Sequence, residues 1–171
     1  MQTVDLKLYT LSYSQTKTYL VVAAFVVGNI IFPQICHLIP QGGLIFLPIY
    51  FFTLISAYKY GWKAGLLTAV LSPLANHLLF GMPASAVLPA ILTKSIFLVF
   101  ASSLAAHYFH KISIPILLLV VLSYQIFGTL VEWAVIGDFF AAIQDFRIGF
   151  PGMLIQIFGA YFLIKYFLAE K

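Results

Sequence analysis

The sequence predicts an all-α fold, an integral membrane bundle of six transmembrane helices, and three observations lead there. Hydrophobic residues make up 63% of the chain and charged residues only 8%, where a soluble domain carries about a quarter charged residues. So little polar surface cannot cover a water-soluble globule, and the apolar surface must face lipid. The apolar runs are also continuous, as in 44–57 and 112–121, whereas strands of a membrane barrel alternate apolar and polar residues. Finally, a helix needs about 20 apolar residues to cross a hydrocarbon core roughly 30 Å thick. Six such helices with short turns use up the 171 residues, so 1–171 reads as one membrane domain with no separate soluble part.

Residues 1–17 mix polar and apolar side chains, with Val4, Leu6 and Leu8 alternating, and are expected in the cytoplasm or at the membrane surface. No secretory signal peptide is evident, because the first apolar run starts near Tyr19 and no small-x-small cleavage site follows it. The bundle itself should occupy 18–168. Helix 1 is expected over 18–38, with Pro33 bending its far end, and Gln41-Gly42-Gly43 supplies a turn. Helix 2 is expected over 44–58, and Lys59-Tyr60-Gly61-Trp62-Lys63 is a tight loop. Helix 3 covers 64–80 with Pro73 inside it, and Gly81-Met82-Pro83 turns the chain. Helix 4 covers 85–109, closed by His110-Lys111, and helix 5 covers 112–136. The stretch 137–149 is the most polar, holding Asp138, Gln144, Asp145 and Arg147, and helix 6 runs over 150–168.

Lysine and arginine prefer the cytoplasmic side of a membrane. With six spans, the termini share a side with loops 2–3 and 4–5. That side holds Lys7, Lys17, Lys59, Lys63, Lys111, Lys165 and Lys171, against Arg147 alone opposite. Both termini are therefore expected in the cytoplasm. The net charge of +4 is a topology signal and not a nucleic-acid footprint. Cys36 is the single cysteine, so no intrachain disulfide can form.

A polar group in hydrocarbon needs a partner or a cavity. Lys94 should lie roughly 13 Å below the outer end of helix 4, near the midplane. On helix 5, Gln125, Gly128, Thr129 and Glu132 follow the i, i+3, i+4, i+7 spacing of one face, with Glu132 about 6 Å from the outer end. Ser72 and Asn76 share a face of helix 3 with His77 beside them. Gly152, Gln156 and Gly159 line up on helix 6, and Asn29 and Gln34 sit in the outer half of helix 1. The inner half carries mainly hydroxyls, such as Thr53, Ser56 and Thr68, which can bond their own helix carbonyls. This one-sided distribution points to a pocket open to the outside, not to a pore. The candidate substrate-binding residues are thus Lys94, Glu132, Asn76, Gln156, Gln125, Asn29, His77 and Trp133. Each has a plainer reading. Lys94 and Glu132 can pair with each other, the amides can bond neighbouring helices, and Trp62 and Trp133 can anchor the interfaces. The spacing of Cys36, His37, His77 and Asp138 gives no metal-site pattern, and His107 and His110 are interfacial. Ala24 and Gly28 form a small-xxx-small pair, which lets helices approach closely in lipid.

Taken together, these features resemble the substrate-binding S component of energy-coupling factor vitamin transporters. The resemblance is carried by Ala24/Gly28, by Tyr60-Gly61-Trp62-Lys63-Ala64-Gly65, and by Ser72-Pro73-Leu74 followed by Gly81-Met82-Pro83. It covers nearly the whole chain, although Ala24/Gly28 departs from the family's alanine pair. The resemblance implies a bacterial or archaeal cell membrane, capture of a vitamin-like molecule from outside, and docking through Ala24 and Gly28 on a membrane T component bound to a pair of ATPases. The absence of a G-x-x-x-x-G-K-[ST] phosphate loop agrees with an engine supplied by partners. The metal-transporting members of the wider group use an amino-terminal histidine, and this chain begins Met1-Gln2, so no metal or other cofactor is expected. Three other readings compete: an autonomous secondary transporter, disfavoured by the lack of a visible inverted repeat; an intramembrane enzyme, for which no catalytic motif is present; and a structural membrane subunit whose buried charges only hold the bundle together.

Overall fold

A computed structural model describes Val4–Asp5 and residues 11–168. The fold is all-helical apart from a two-residue antiparallel pairing, Val4 with Ile112 and Asp5 with Lys111. That pairing ties the start of the chain to the turn between the fourth and fifth long segments. Leu6, Leu8, Lys7 and Lys171 lie outside the described residues.

Helix α1 spans Thr16–Cys36, α4 spans Trp62–Phe80, α5 spans Leu88–Phe109 and α6 spans Ile114–Ile136. Their ends follow from local chemistry. Ser113 caps α6 by accepting from the Ile116 N–H, which satisfies one of the donors every helix leaves free at its start. Gly81 and Gly137 end α4 and α6 with φ of 68° and 77°, a left-handed conformation that costs glycine little. Three of these helices, α1, α5 and α6, are long and apolar enough to cross a membrane.

The expected helix 2 is not one helix. Its residues form α2 (Gly42–Phe46), a 3₁₀ turn (Pro48–Tyr50) and α3 (Phe51–Tyr60). Leu47 separates them in a left-handed conformation, φ 46° and ψ 46°, and Pro48 cannot donate to the preceding turn. Hydropathy does not register such a break, because all the residues involved are apolar. The last segment begins with α9 (Phe150–Leu154), passes through a π turn (Ile155–Gly159) and α10 (Ala160–Leu163), and ends in a second π turn (Ile164–Leu168). The junction residues keep helical dihedrals, so 150–168 is a continuous rod. It is apolar but shorter than the three long helices. The polar stretch before it contains two helical turns, α7 (Phe139–Ala142) and α8 (Gln144–Arg147).

The long helices pack as neighbours in chain order, α4 on α1 and α3, α5 on α4, and α6 on α5. The main core lies where α3, α5, α6 and the 150–168 rod meet, around Leu54, Tyr58, Leu98, Leu117, Tyr124 and Ile164. One end of the bundle gathers the N-terminal segment and the α3–α4 and α5–α6 turns. There the Leu11 N–H donates to Tyr60 O, and the Tyr58 hydroxyl donates to Lys111 O at 2.7 Å. Lys63 lies over the rings of Tyr13 and Trp62 at the same end. The opposite end gathers the α1–α2 and α4–α5 turns and the α7–α8 segment, and the polar side chains converge on it.

Candidate functional site

Two groups of polar side chains occupy the half of the bundle away from the termini. The first joins α1, α3 and α4. Asn29 is fully buried and its Nδ2 donates to Thr53 Oγ1 and Ser72 Oγ, both at 3.0 Å. Its Oδ1 accepts from the Phe52 N–H at 3.3 Å. That N–H belongs to the first turn of α3 and has no partner within its own helix, so Asn29 supplies in apolar surroundings what water supplies elsewhere. Asn76 Nδ2 donates to the carbonyls of Asn29 at 2.8 Å and Ser72 at 2.9 Å. Two carbonyl acceptors fix the orientation of the Asn76 amide, and its Oδ1 is left buried without a donor.

The second group centres on Lys94 of α5, which is 4% exposed. Its Nζ lies 2.6 Å from Glu132 of α6 and 2.8 Å from Asp145 of α8. Lys94 sits closer to the helix end than the sequence suggested. Residues 85–87 form a turn and α5 starts at Leu88, which puts Lys94 about 9 Å down the helix. Glu132 lies about 6 Å from the end of α6, so the two need little vertical reach to meet. The expected pair is in fact a triad with two carboxylates on one ammonium. Asp145 is not among the residues expected at the site, because the polar stretch 138–147 reads from sequence equally as a pocket cover and as a solvated loop, and helical periodicity does not single it out. The usable signal was charge balance, since a buried lysine near a polar loop attracts whatever acid that loop carries.

Beneath the triad, Tyr124 donates its hydroxyl to Gln156 Oε1 at 2.8 Å, and its ring packs on Tyr50 at 5.4 Å. Gln156 and Gln125 are both fully buried. Gln156 Nε2, both amide atoms of Gln125 and the Thr129 hydroxyl lack hydrogen-bond partners. Tyr124 and Tyr50 were not among the expected site residues. Their aromatic character matched the surrounding core, and nothing in the spacing marked them.

Two adjoining chambers open among these groups. The larger, about 420 Å³, is bounded by the end of α1, the 39–48 segment, α4 and the α4–α5 turn. Its walls are mostly apolar and include Asn76 and His37, whose Oδ1 and Nδ1 atoms are buried without a partner. The smaller, about 120 Å³, is lined by Lys94, Glu132, Asp145, Gln144 and Tyr50. The two share Gly43, Leu44, Ile49, Val87 and Ile91 as walls. An apolar chamber with a few polar atoms without partners is the usual form of a small-molecule site.

The other expected residues lie elsewhere. His77 Nδ1 meets the Pro83 carbonyl at 2.7 Å, so that ring braces the α4–α5 turn. Trp133 is 44% exposed and stands edge-on to Phe139. Gly28 faces inward, since a Cβ there would lie 2.9 Å from the Phe52 ring, while Ala24 is exposed. The small-xxx-small pair is therefore split between a contact inside the chain and the bundle surface. Among the described residues, no group of three or more His, Cys, Asp or Glu side chains is arranged to hold a metal ion. No family model, curated protein or solved structure matches the chain.

Proposed function

We propose that this chain is a membrane-embedded substrate-binding protein, working as the S component of an energy-coupling factor importer. The observation that carries the reading is the two-chamber cavity, with the buried Asn76 Oδ1 lacking a partner on one side and the Lys94 triad on the other. An unmatched buried acceptor costs about 1–3 kcal/mol, and a bound ligand that donates to Asn76 recovers that cost. In this reading all six helical segments lie in a cell membrane, with the lysine-rich end and both termini in the cytoplasm and the cavity facing outward. The α7–α8 segment covers the small chamber, because Asp145 ties it to Lys94.

The chain would capture a vitamin-like molecule and hand it to a T component driven by two ATPases. The exposed α1 surface around Ala24 is the part of the small-residue face left free for that docking, with Gly28 allowing α1 to sit tightly on Phe52 behind it. A structural membrane subunit can also hold buried ion pairs, but it has no need of a cavity beside a buried acceptor without a donor.

The test is mass spectrometry of small molecules that co-purify with the detergent-solubilised chain. A stoichiometric organic molecule, released on unfolding, is the expected result. Its absence from preparations that also fail to bind any member of a vitamin panel argues for the structural subunit.

A further inference from the structure

From the groups lining the two chambers, we infer that the ligand is a nitrogenous organic cation rich in N–H donors, such as an amidine or a protonated amino-heterocycle. The inference rests on the cavity being the ligand site, as proposed above. The charged side chains lining the chambers are Lys94, Glu132 and Asp145. One ammonium between two carboxylates leaves an excess negative charge. Arg147 is exposed and lines neither chamber, and His37 is the remaining titratable wall residue of the large one.

A buried charge needs a counter-charge. A cation entering beside Glu132 and Asp145 supplies one. An anion raises the excess and must also compete with two carboxylates already held by Lys94 at 2.6 and 2.8 Å. Lys94 is therefore a weak recruiter of acidic ligands.

The second argument is independent of charge. Asn76 lines the large chamber and donates through Nδ2 to two carbonyls, which leaves Oδ1 as a buried acceptor without a donor. The carboxylates of the small chamber are acceptors as well. A ligand that reaches the small chamber meets these carboxylates and must bring N–H groups to them, and one more N–H would satisfy Asn76 Oδ1 where the amide gives way to it. The walls of the large chamber are mostly apolar, among them Pro48, Ile49, Val87 and Ile91, which suits a flat ring body.

The experiment compares benzamidine with benzoate, planar molecules of nearly the same shape and opposite charge. The full chain, purified in detergent, is titrated with each while its melting temperature is followed. Benzamidine is expected to raise the melting temperature in a saturable way and benzoate to leave it unchanged. Asp145→Asn and Glu132→Gln each remove the excess charge and are expected to weaken benzamidine by about tenfold or more, the effect of losing a charge-assisted hydrogen bond. The comparison on the unaltered protein stands even where a variant does not fold. Saturable binding of benzoate without benzamidine overturns the charge class and leaves the cavity as a ligand site. Equal benzamidine binding by the folded variants places the effect elsewhere and overturns the inference. Binding of neither probe overturns it too. A co-purified ligand that is neutral or acidic sinks this inference while sustaining the proposed function.

Discussion

Gly128 of α6 lies directly against Lys94, and the Lys94 Cγ occupies the place where any side chain at 128 would put its Cβ. The lysine stem reaches Glu132 and Asp145 by passing over this bare stretch of helix. Gly128→Ala should therefore push Lys94 off both carboxylates and destabilise the fold by about 1–3 kcal/mol, the range for overpacking a tight site. Thermal melting in detergent measures it. A variant as stable as the parent means that Lys94 follows another path.

Removing the ammonium should cost more. Lys94→Met leaves Glu132 and Asp145 facing each other without a counter-charge, and breaking a buried pair in this way costs about 3–5 kcal/mol. Adding Glu132→Gln and Asp145→Asn should recover much of that loss, since neutral groups carry no charge to compensate. Stability of the single and triple variants by chemical denaturation decides. If the triple variant is no better than Lys94→Met, the loss comes from packing and not from charge.

Asn29→Leu deletes the donors to Thr53 and Ser72, together with the acceptor for the Phe52 N–H. The buried groups left behind should cost about 1–3 kcal/mol. Amide hydrogen exchange at Phe52 should rise along with the global loss. Protection unchanged at Phe52 would show that another group caps α3.

Gly28→Leu and Ala24→Leu should separate. The first drives a side chain into the Phe52 ring and should lower the melting temperature. The second adds bulk at an exposed position and should leave folding intact while reducing transport in the reconstituted importer. Similar transport by Ala24→Leu and the parent would remove this face of α1 from docking.

Native Cys36 is buried, so introduced cysteines can report topology with little background. Ser85→Cys in the α4–α5 turn should be labelled from outside intact cells, and Ser14→Cys only after permeabilisation. Reversed labelling refutes the orientation read from the lysines.

The sequence made the helical segments legible because long apolar runs and Gly or Pro turns leave few alternatives. Lys94 and Glu132 stood out because a charge in an apolar run has to be explained. The break at Leu47 did not stand out, since Leu-Pro in an apolar stretch reads equally well as a proline in the first turn of a helix. The Asn29 network was invisible for a related reason. Asn29 and Asn76 are 47 positions apart, and only packing brings them to one place. Asp145 joins the triad through the fold of the α7–α8 segment, which hydrophobic periodicity does not encode.

The broken path of residues 42–60 bears on how the protein is made. α1, α5 and α6 are long and apolar enough to cross a membrane, and in the proposed placement each would partition from the translocon into lipid alone, because every peptide group inside a long apolar helix is already paired. The ten residues of α3 reach only about 15 Å, half the depth of the hydrocarbon, and their first turn relies on Asn29 for a partner. This stretch gains nothing by leaving the translocon unaccompanied. In the membrane placement proposed above, biogenesis would hold it at the protein-conducting gate or the lipid headgroups until α1 and α4 are beside it. The Asn29 side chain would then be an assembly checkpoint as much as a stabilising contact.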